Sequence, residues 1–283
     1  MRSPSLENNA RVAAFRIRSQ MGLAPDATVP LGIILGTGWG ETLKLDDAKE
    51  VSCKDLPGFE KLGTLEGHER KVIMGVLGGR TPVVLLKGRV HLNESHDPDH
   101  WKMVRLQTEM LLHLGVKTLV VTCGAGSLQK EVEVGDVVII DGFVTAFAPP
   151  MPLLGGEFVS PEDAIDGSAL THAYTQFIPP DPNTIKKGGY VMLRGPQFEG
   201  RRHDKALLAS TGAKAVGMSV VPEACVAALY PDVRVMPFAL ITNSATETHS
   251  HEENLRRSRE RAPLIGEYLT RVVTTLPRRQ AGC

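Results

Sequence analysis

The 283-residue sequence has no net charge, because thirty-two basic side chains offset thirty-two acidic ones. That balance leaves no global field to recruit nucleic acid or an anionic membrane, and it points to a small-molecule ligand. Cysteine is scarce. Cys53, Cys123, Cys225 and Cys283 form no C-x-x-C pair and no His/Cys cluster at metal-ligand spacing. This argues against a structural zinc motif and suits a reducing, cytoplasmic setting. No apolar run approaches a membrane span, and "MRSPSLENNARVAAF" lacks the apolar core of a signal peptide. Internal repeats and long linkers are also missing. What is present is a 42% apolar, 23% charged composition, ample for a sizeable core and read as one domain.

Short β-branched runs recur between helical patterns at Leu31–Leu35, Lys71–Leu77, Pro82–Leu86, Thr118–Thr122, Asp136–Asp141, Tyr190–Leu193 and Val233–Thr242. The alternation predicts an α/β fold. The "GGR" turn between Leu77 and Thr81 predicts an antiparallel hairpin, so the sheet is expected to be mixed. Asp97-Pro98 reads as the start of a helix that Gly115 stops, and Gly212 stops another after "HDKALLAST". The C-terminal "EENLRRSRERAPLIGEYLTRVVTTL" is expected to be helical, kinked or divided at Pro263. The proline-rich segment Phe143–Asn183 is expected to be mostly irregular, and 1–12 and 278–283 to be tails.

The stretch "LGIILGTGWG" places Gly36, Gly38 and Gly40 around Thr37 and Trp39 at the end of a strand. A dinucleotide fingerprint does not fit, because its third glycine comes one residue early and no crossover helix follows. A P-loop lacks its G-K-[ST]. A tight turn with no ligand, or a site for free phosphate, both remain. Three further strand ends offer anion donors. "KGRVHLNES" sets Arg89 and His91 two apart, on one side of an extended segment. "VVTCGAGSL" brings Gly124 with small neighbours, and "VGMSVVPEA" brings Ser219 just ahead of Pro222. One small anion held by Thr37, Arg89, His91, Gly124 and Ser219 accounts for all four.

These motifs, with "LPGFEKLGTLEGHERKVIMGVLGGR", "EVGDVVIID", "YVMLRGPQFEG" and "LITNSATE…SHEE" in order, resemble the trimeric purine nucleoside phosphorylases, the family that includes methylthioadenosine phosphorylase. The resemblance runs from about Ala13 to about Pro277. It implies a single-domain nucleoside phosphorylase fold of class α/β, a mixed, twisted, barrel-like β-sheet flanked by helices, assembled as a homotrimer. It also implies phosphorolysis of purine nucleosides to base and ribose 1-phosphate, with orthophosphate as co-substrate and no metal or organic cofactor. Thr37, Arg89, His91, Gly124 and Ser219 would bind the phosphate. Phe198, Glu199 and Asn243 would bind the purine, and Met218 and His251 the ribose, with Asn243, Glu199 and His91 as the catalytic set. Glu199 with Asn243 matches the inosine/guanosine members, where adenine-specific members carry aspartate for the asparagine.

The sequence also departs from the family. In "HLNE", Asn93 stands where relatives carry a tyrosine beside the ribose, while Glu94 is kept. "TCGAGSL" and Thr37 resemble the methylthioadenosine branch instead. The phenylalanine that relatives send into a neighbour's active site corresponds here to Phe147, with Ala148 the other register. His249 competes with His251 for the 5′-hydroxyl. Besides the 6-oxopurine enzyme, a methylthioadenosine-type phosphorylase and a catalytically altered nucleoside-binding member of the same fold therefore stay open.

Overall fold

The computed structural model describes residues 4–40, 42–63, 69–149, 151, 154–176, 184–195, 197–200, 202–244 and 251–277. β1 (Leu31–Leu35) is buried at every position, as an unbroken aliphatic run must be when both faces of a sheet are covered. It pairs in parallel with β4 (Thr81–Lys87) on one side and β5 (Thr118–Ser127) on the other. β3 (Lys71–Leu77) runs antiparallel to β4. Gly78 and Gly79 make that turn with positive φ, which a side chain would resist, so the mixed sheet follows from local chemistry.

Beyond β5 the sheet closes on itself. β5 pairs with β8 (Ala215–Gly217), β8 with β7 (Ile185–Met192), β7 with β6 (Val137–Val144), and β6 with β9 (Arg234–Asn243). β9 returns to β5 in parallel from Thr118 to Gly126. These five strands form a closed ring, and β1, β4 and β3 extend from it. On its other side β5 follows β1 only to Val121 and meets β8 only at Gly126. The gap from Thr122 to Ala125 is a divergence of strand order, where open α/β sheets gather ligands.

Two apolar layers sandwich the sheet. α1 (Pro4–Met21), α2 (Pro98–His113) and α5 (Val221–Ala228) cover one face, while α3 (Gly167–Thr175) and α6 (His251–Thr274) cover the other. α4 (His203–Ser210) packs through Leu208 on a smaller cluster with Leu128, Val191, Ala213 and Val216. Asp97 caps α2 by accepting from the Asp99 amide at 2.8 Å, Pro98 starts it, and Gly115 leaves it at φ +99. Among the described residues no helix is long and apolar enough to cross a membrane.

Two of the expectations need correction, and two stretches add elements to them. The N-terminal tail expected at 1–12 is helical from Pro4, because Ala10, Ala13, Ala14, Ile17 and Met21 form a buried stripe at helical spacing. The polar "LDDAKEVS" forms an edge strand, β2 (Leu45–Ser52), on β3. Its largely exposed residues carry no period-two signal, and charge on such an edge discourages pairing with other chains. α6 is not divided at Pro263 but continues through it as one helix. The segment Phe143–Asn183 contains α3, capped by Asp166, and a 3₁₀ turn at Pro161–Ala164 capped by Ser160. The tail expected at 278–283 lies outside the described residues.

Candidate active site

The groups expected to hold an anion meet at the gap in β5. The Gly36 amide donates to Thr122 Oγ1 (3.1 Å), and the Trp39 indole N–H donates to the Cys123 carbonyl (2.8 Å). The loop therefore seals the stretch of β5 that has neither β1 nor β8 beside it. A Cβ at Gly36 would stand 2.4 Å from the Thr122 carbonyl and 2.6 Å from Arg89 Nη2, so only glycine lets the loop close so tightly. Thr37 lies against Gly124, whose Cβ would meet the Thr37 carbonyl at 3.3 Å.

Arg89 is 1% exposed beneath this loop. Its Nη1 donates to Glu223 Oε1 at 2.8 Å and its Nη2 to the Thr122 carbonyl, while Nε and Glu223 Oε2 are buried without hydrogen-bond partners. The guanidinium thus arrives with a carboxylate already beside it, a partner that spacing in the sequence does not indicate. Ser219 follows β8 at a strained turn: Val220 sits at φ 72, ψ −46, and the Val221 amide donates back to the Ser219 carbonyl at 2.9 Å. A β-branched residue in this γ-turn is costly, and such strain concentrates at functional sites. The Ser219 amide donates to Tyr190 Oη at 3.2 Å.

His91 follows β4, where the Glu94 carboxylate accepts from its backbone amide (2.7 Å) and lies 3.1 Å from its Nδ1. Burial lowers the His91 pKa, with Glu94 opposing, so the neutral ring is favoured. Burial would raise the Glu94 carboxyl, but hydrogen bonds from His91 and the charge of Arg70 bring it to about 2. An ionised Glu94 only accepts, so Nδ1 carries the proton in this contact. Cys123, beside Arg89 and Ser219, is not an activated thiol: burial pushes it up to about 12.

The groups expected to meet a base lie in two places, the loop before α4 and the end of β9. Phe198, 51% exposed, and Glu199 line a cavity of about 190 Å³ with Phe147, Leu193, Arg194 and Leu207. Asn243 ends β9 at 2% exposure. Thr242 Oγ1 donates to the Ala125 carbonyl (3.3 Å), with Asn243 Oδ1 also within reach at 3.4 Å. Both Asn243 Nδ2 and Glu199 Oε1 are buried without a hydrogen-bond partner, an arrangement that folded proteins rarely leave unless something else binds there. A Cβ at Gly126 would stand 2.7 Å from Asn243 Nδ2, so that glycine makes room for the amide.

Between the two halves, Asn93 Nδ2 lies 3.4 Å from Met218 Sδ, and a Cβ at Gly195 would be 2.6 Å from each. The expected sugar residues Asn93 and Met218 therefore come together. Phe147 packs on its own chain, beside Val144 and Leu193, whereas Phe158 is fully exposed. His251 opens α6, its side chain and the whole of His249 lying outside the described residues. Glu223, Tyr190 and Lys205 contact the expected site residues Arg89, Ser219 and Glu199, contacts that no motif in the sequence indicates. Among the described residues no group of three His, Cys, Asp or Glu side chains could hold a metal ion.

The sequence matches the family model described as the Phosphorylase superfamily over residues 30–276. It is 32% identical over 264 residues to a purine nucleoside phosphorylase of Bos taurus, covering 87% of this chain and 89% of the bovine one. Against purine nucleoside phosphorylase 1 of Bacillus subtilis (strain 168) it is 31% identical over 259 residues, covering 86% and 89%. The crystal structure of Schistosoma mansoni purine nucleoside phosphorylase in complex with inosine superposes with a TM-score of 0.80 at 26% identity, covering 96% of this chain and 98% of that one. The same protein in complex with adenosine superposes at 0.81, with the same identity and coverage.

Proposed function

This chain belongs to the phosphorylase superfamily as a purine nucleoside phosphorylase family member, a pentosyltransferase, and on that premise we propose that it cleaves 6-oxopurine nucleosides, inosine or guanosine, with orthophosphate as its sole co-substrate. The carrying observation is the pair of buried, unpartnered groups Glu199 Oε1 and Asn243 Nδ2. A 6-oxopurine offers N1–H to a carboxylate and N7 and O6 to an amide N–H, whereas adenine has no proton at N1 and a donor at position 6. Phosphate held by Thr37, Arg89, His91, the Gly124 amide and Ser219 attacks C1′ from below the sugar. The C1′–N9 bond breaks with its electron pair passing into the purine, and the C1′–O bond to phosphate forms. Cationic character on the ribose is balanced by the phosphate, and charge gathering near N7 by Asn243.

The test is base release from inosine, guanosine, adenosine, methylthioadenosine and 5′-deoxyinosine, with and without orthophosphate. Phosphate-dependent cleavage of inosine or guanosine, at least about a hundredfold above adenosine in kcat/KM, is expected from a site built around the N1 proton. Preference for the adenine nucleosides would move the chain to the methylthioadenosine branch, and no cleavage would refute the proposal. Equal kcat/KM for inosine and 5′-deoxyinosine would mean that Asn93 and its surroundings offer no polar 5′ subsite.

Homotrimeric assembly and a cytoplasmic setting belong to the same reading, the latter supported by three buried, unbridged thiols, Cys53, Cys123 and Cys225. Phe158, fully exposed, is better placed than Phe147 to serve a neighbouring copy. Phe158→Ala is expected to raise KM for inosine about tenfold, equivalent to about 1.4 kcal/mol, with kcat nearly constant. Phe147→Ala should instead lower the melting temperature. Steady-state kinetics and thermal melts separate them, and the reverse pattern would restore Phe147 to the role.

A further inference from the structure

Resting on the base-pocket reading above, we propose that Lys205 is a positioning residue that holds the Glu199 carboxylate poised for the purine N1–H and ties it to Asn243. Lys205 lies in the first turn of α4, where Asp204 anchors the helix start by accepting from the Gly200 amide at 2.8 Å. The Lys205 amide donates to the Gly200 carbonyl at 3.1 Å, so backbone geometry places the side chain relative to the residue after Glu199. Its ammonium donates to the Ser244 carbonyl at 3.2 Å and stands 3.9 Å from Glu199 Oε1. One cation therefore spans the loop that carries Glu199 and the residue that follows Asn243. Both side chains are almost wholly buried, at 8% and 4% exposure.

The separation explains the role. At 3.9 Å the ammonium balances the charge of Glu199 without a hydrogen bond to Oε1, which keeps that oxygen open for a ligand. A buried carboxylate without a counter-charge would be costly, and one fully engaged by its counter-ion would have less to offer a base. The bond to Ser244 fixes where the ammonium sits, so the spacing is held by the end of β9 and not by the ligand.

A double-mutant cycle tests this. Lys205→Met is expected to lower kcat/KM for inosine about 30-fold, the lower range for truncating one member of a buried charge pair. In a Glu199→Gln background the same change should cost at most about threefold, because the lysine acts through the carboxylate. KM for phosphate should stay within about twofold, and Lys205→Arg should recover most of the activity. Lys205→Gln, which can still donate to Ser244, should reproduce the Met result and serves if the Met variant does not fold. Equal losses with and without the Glu199 carboxylate, or a parallel rise in phosphate KM, would overturn the role of Lys205 while leaving the 6-oxopurine reading intact. A wild-type protein inactive on inosine would overturn both.

Discussion

Asn243→Ala is expected to lower kcat for inosine phosphorolysis a few hundred-fold, about 3–4 kcal/mol, while leaving the fold nearly as stable as before. The two halves of this expectation have one cause. Asn243 Nδ2 has no hydrogen-bond partner within the chain, so its loss removes little that holds the native state together. Gly126 is cleared around its amide, so the donor has room for a ligand before any arrives. A donor of this kind contributes when charge develops on the departing purine, and its loss should appear in kcat more than in KM. Asn243→Asp replaces donor by acceptor and should move the ratio of kcat/KM toward adenosine. An alanine variant with near wild-type turnover, or an aspartate variant with an unchanged ratio, would remove Asn243 from the base site.

Arg89→Met should show the opposite combination, a loss of both stability and activity. The guanidinium is buried, paired with Glu223 and bonded to the Thr122 carbonyl in the gap of β5, so its removal leaves a carboxylate and a carbonyl without donors. Breaking one side of a buried ion pair costs about 3–5 kcal/mol, which corresponds to a melting temperature lower by about 6–15 °C. The phosphate would also lose its strongest donor, and kcat/KM for phosphate should fall at least about a thousandfold. The double variant Arg89→Met/Glu223→Leu separates the effects: apolar replacement of the whole pair should restore much of the stability and none of the turnover. Recovery of phosphate-dependent activity in the double variant would show that Arg89 is structural only.

Much of the proposed phosphate half is legible in the sequence, because its chemistry is local. Gly36 and Thr37 follow an aliphatic run, Gly124 sits in a cluster of small residues at a strand end, and Arg89 and His91 are two apart on an extended segment. The base half is less so, since Phe198, Glu199 and Asn243 each have an ordinary structural explanation taken alone, and their meaning comes from the family's motif order. Phe147 shows a different dependence: register within the loop selects it, and its ring packs beside Val144 and Leu193 of its own chain. Asn93 is visible as a departure from the family, but its contact with Met218 is not.

From its sequence alone, this protein is determined to be an α/β chain with a mixed sheet, capped helices, glycine-closed strand ends and phosphorylase motifs. Each of these rests on interactions within a few residues, where backbone stereochemistry and side-chain periodicity decide the outcome. Tertiary structure alone decided that five strands close into a ring, that β5 changes partners between Val121 and Gly126, and that Arg89 meets Glu223, 134 residues away. It likewise placed Lys205 between Glu199 and Ser244 and left Asn243 Nδ2 unpartnered. Strand order and register set these distances. A period of two or of 3.6 residues tells which face a side chain takes, and only the assembled sheet determines what stands opposite it.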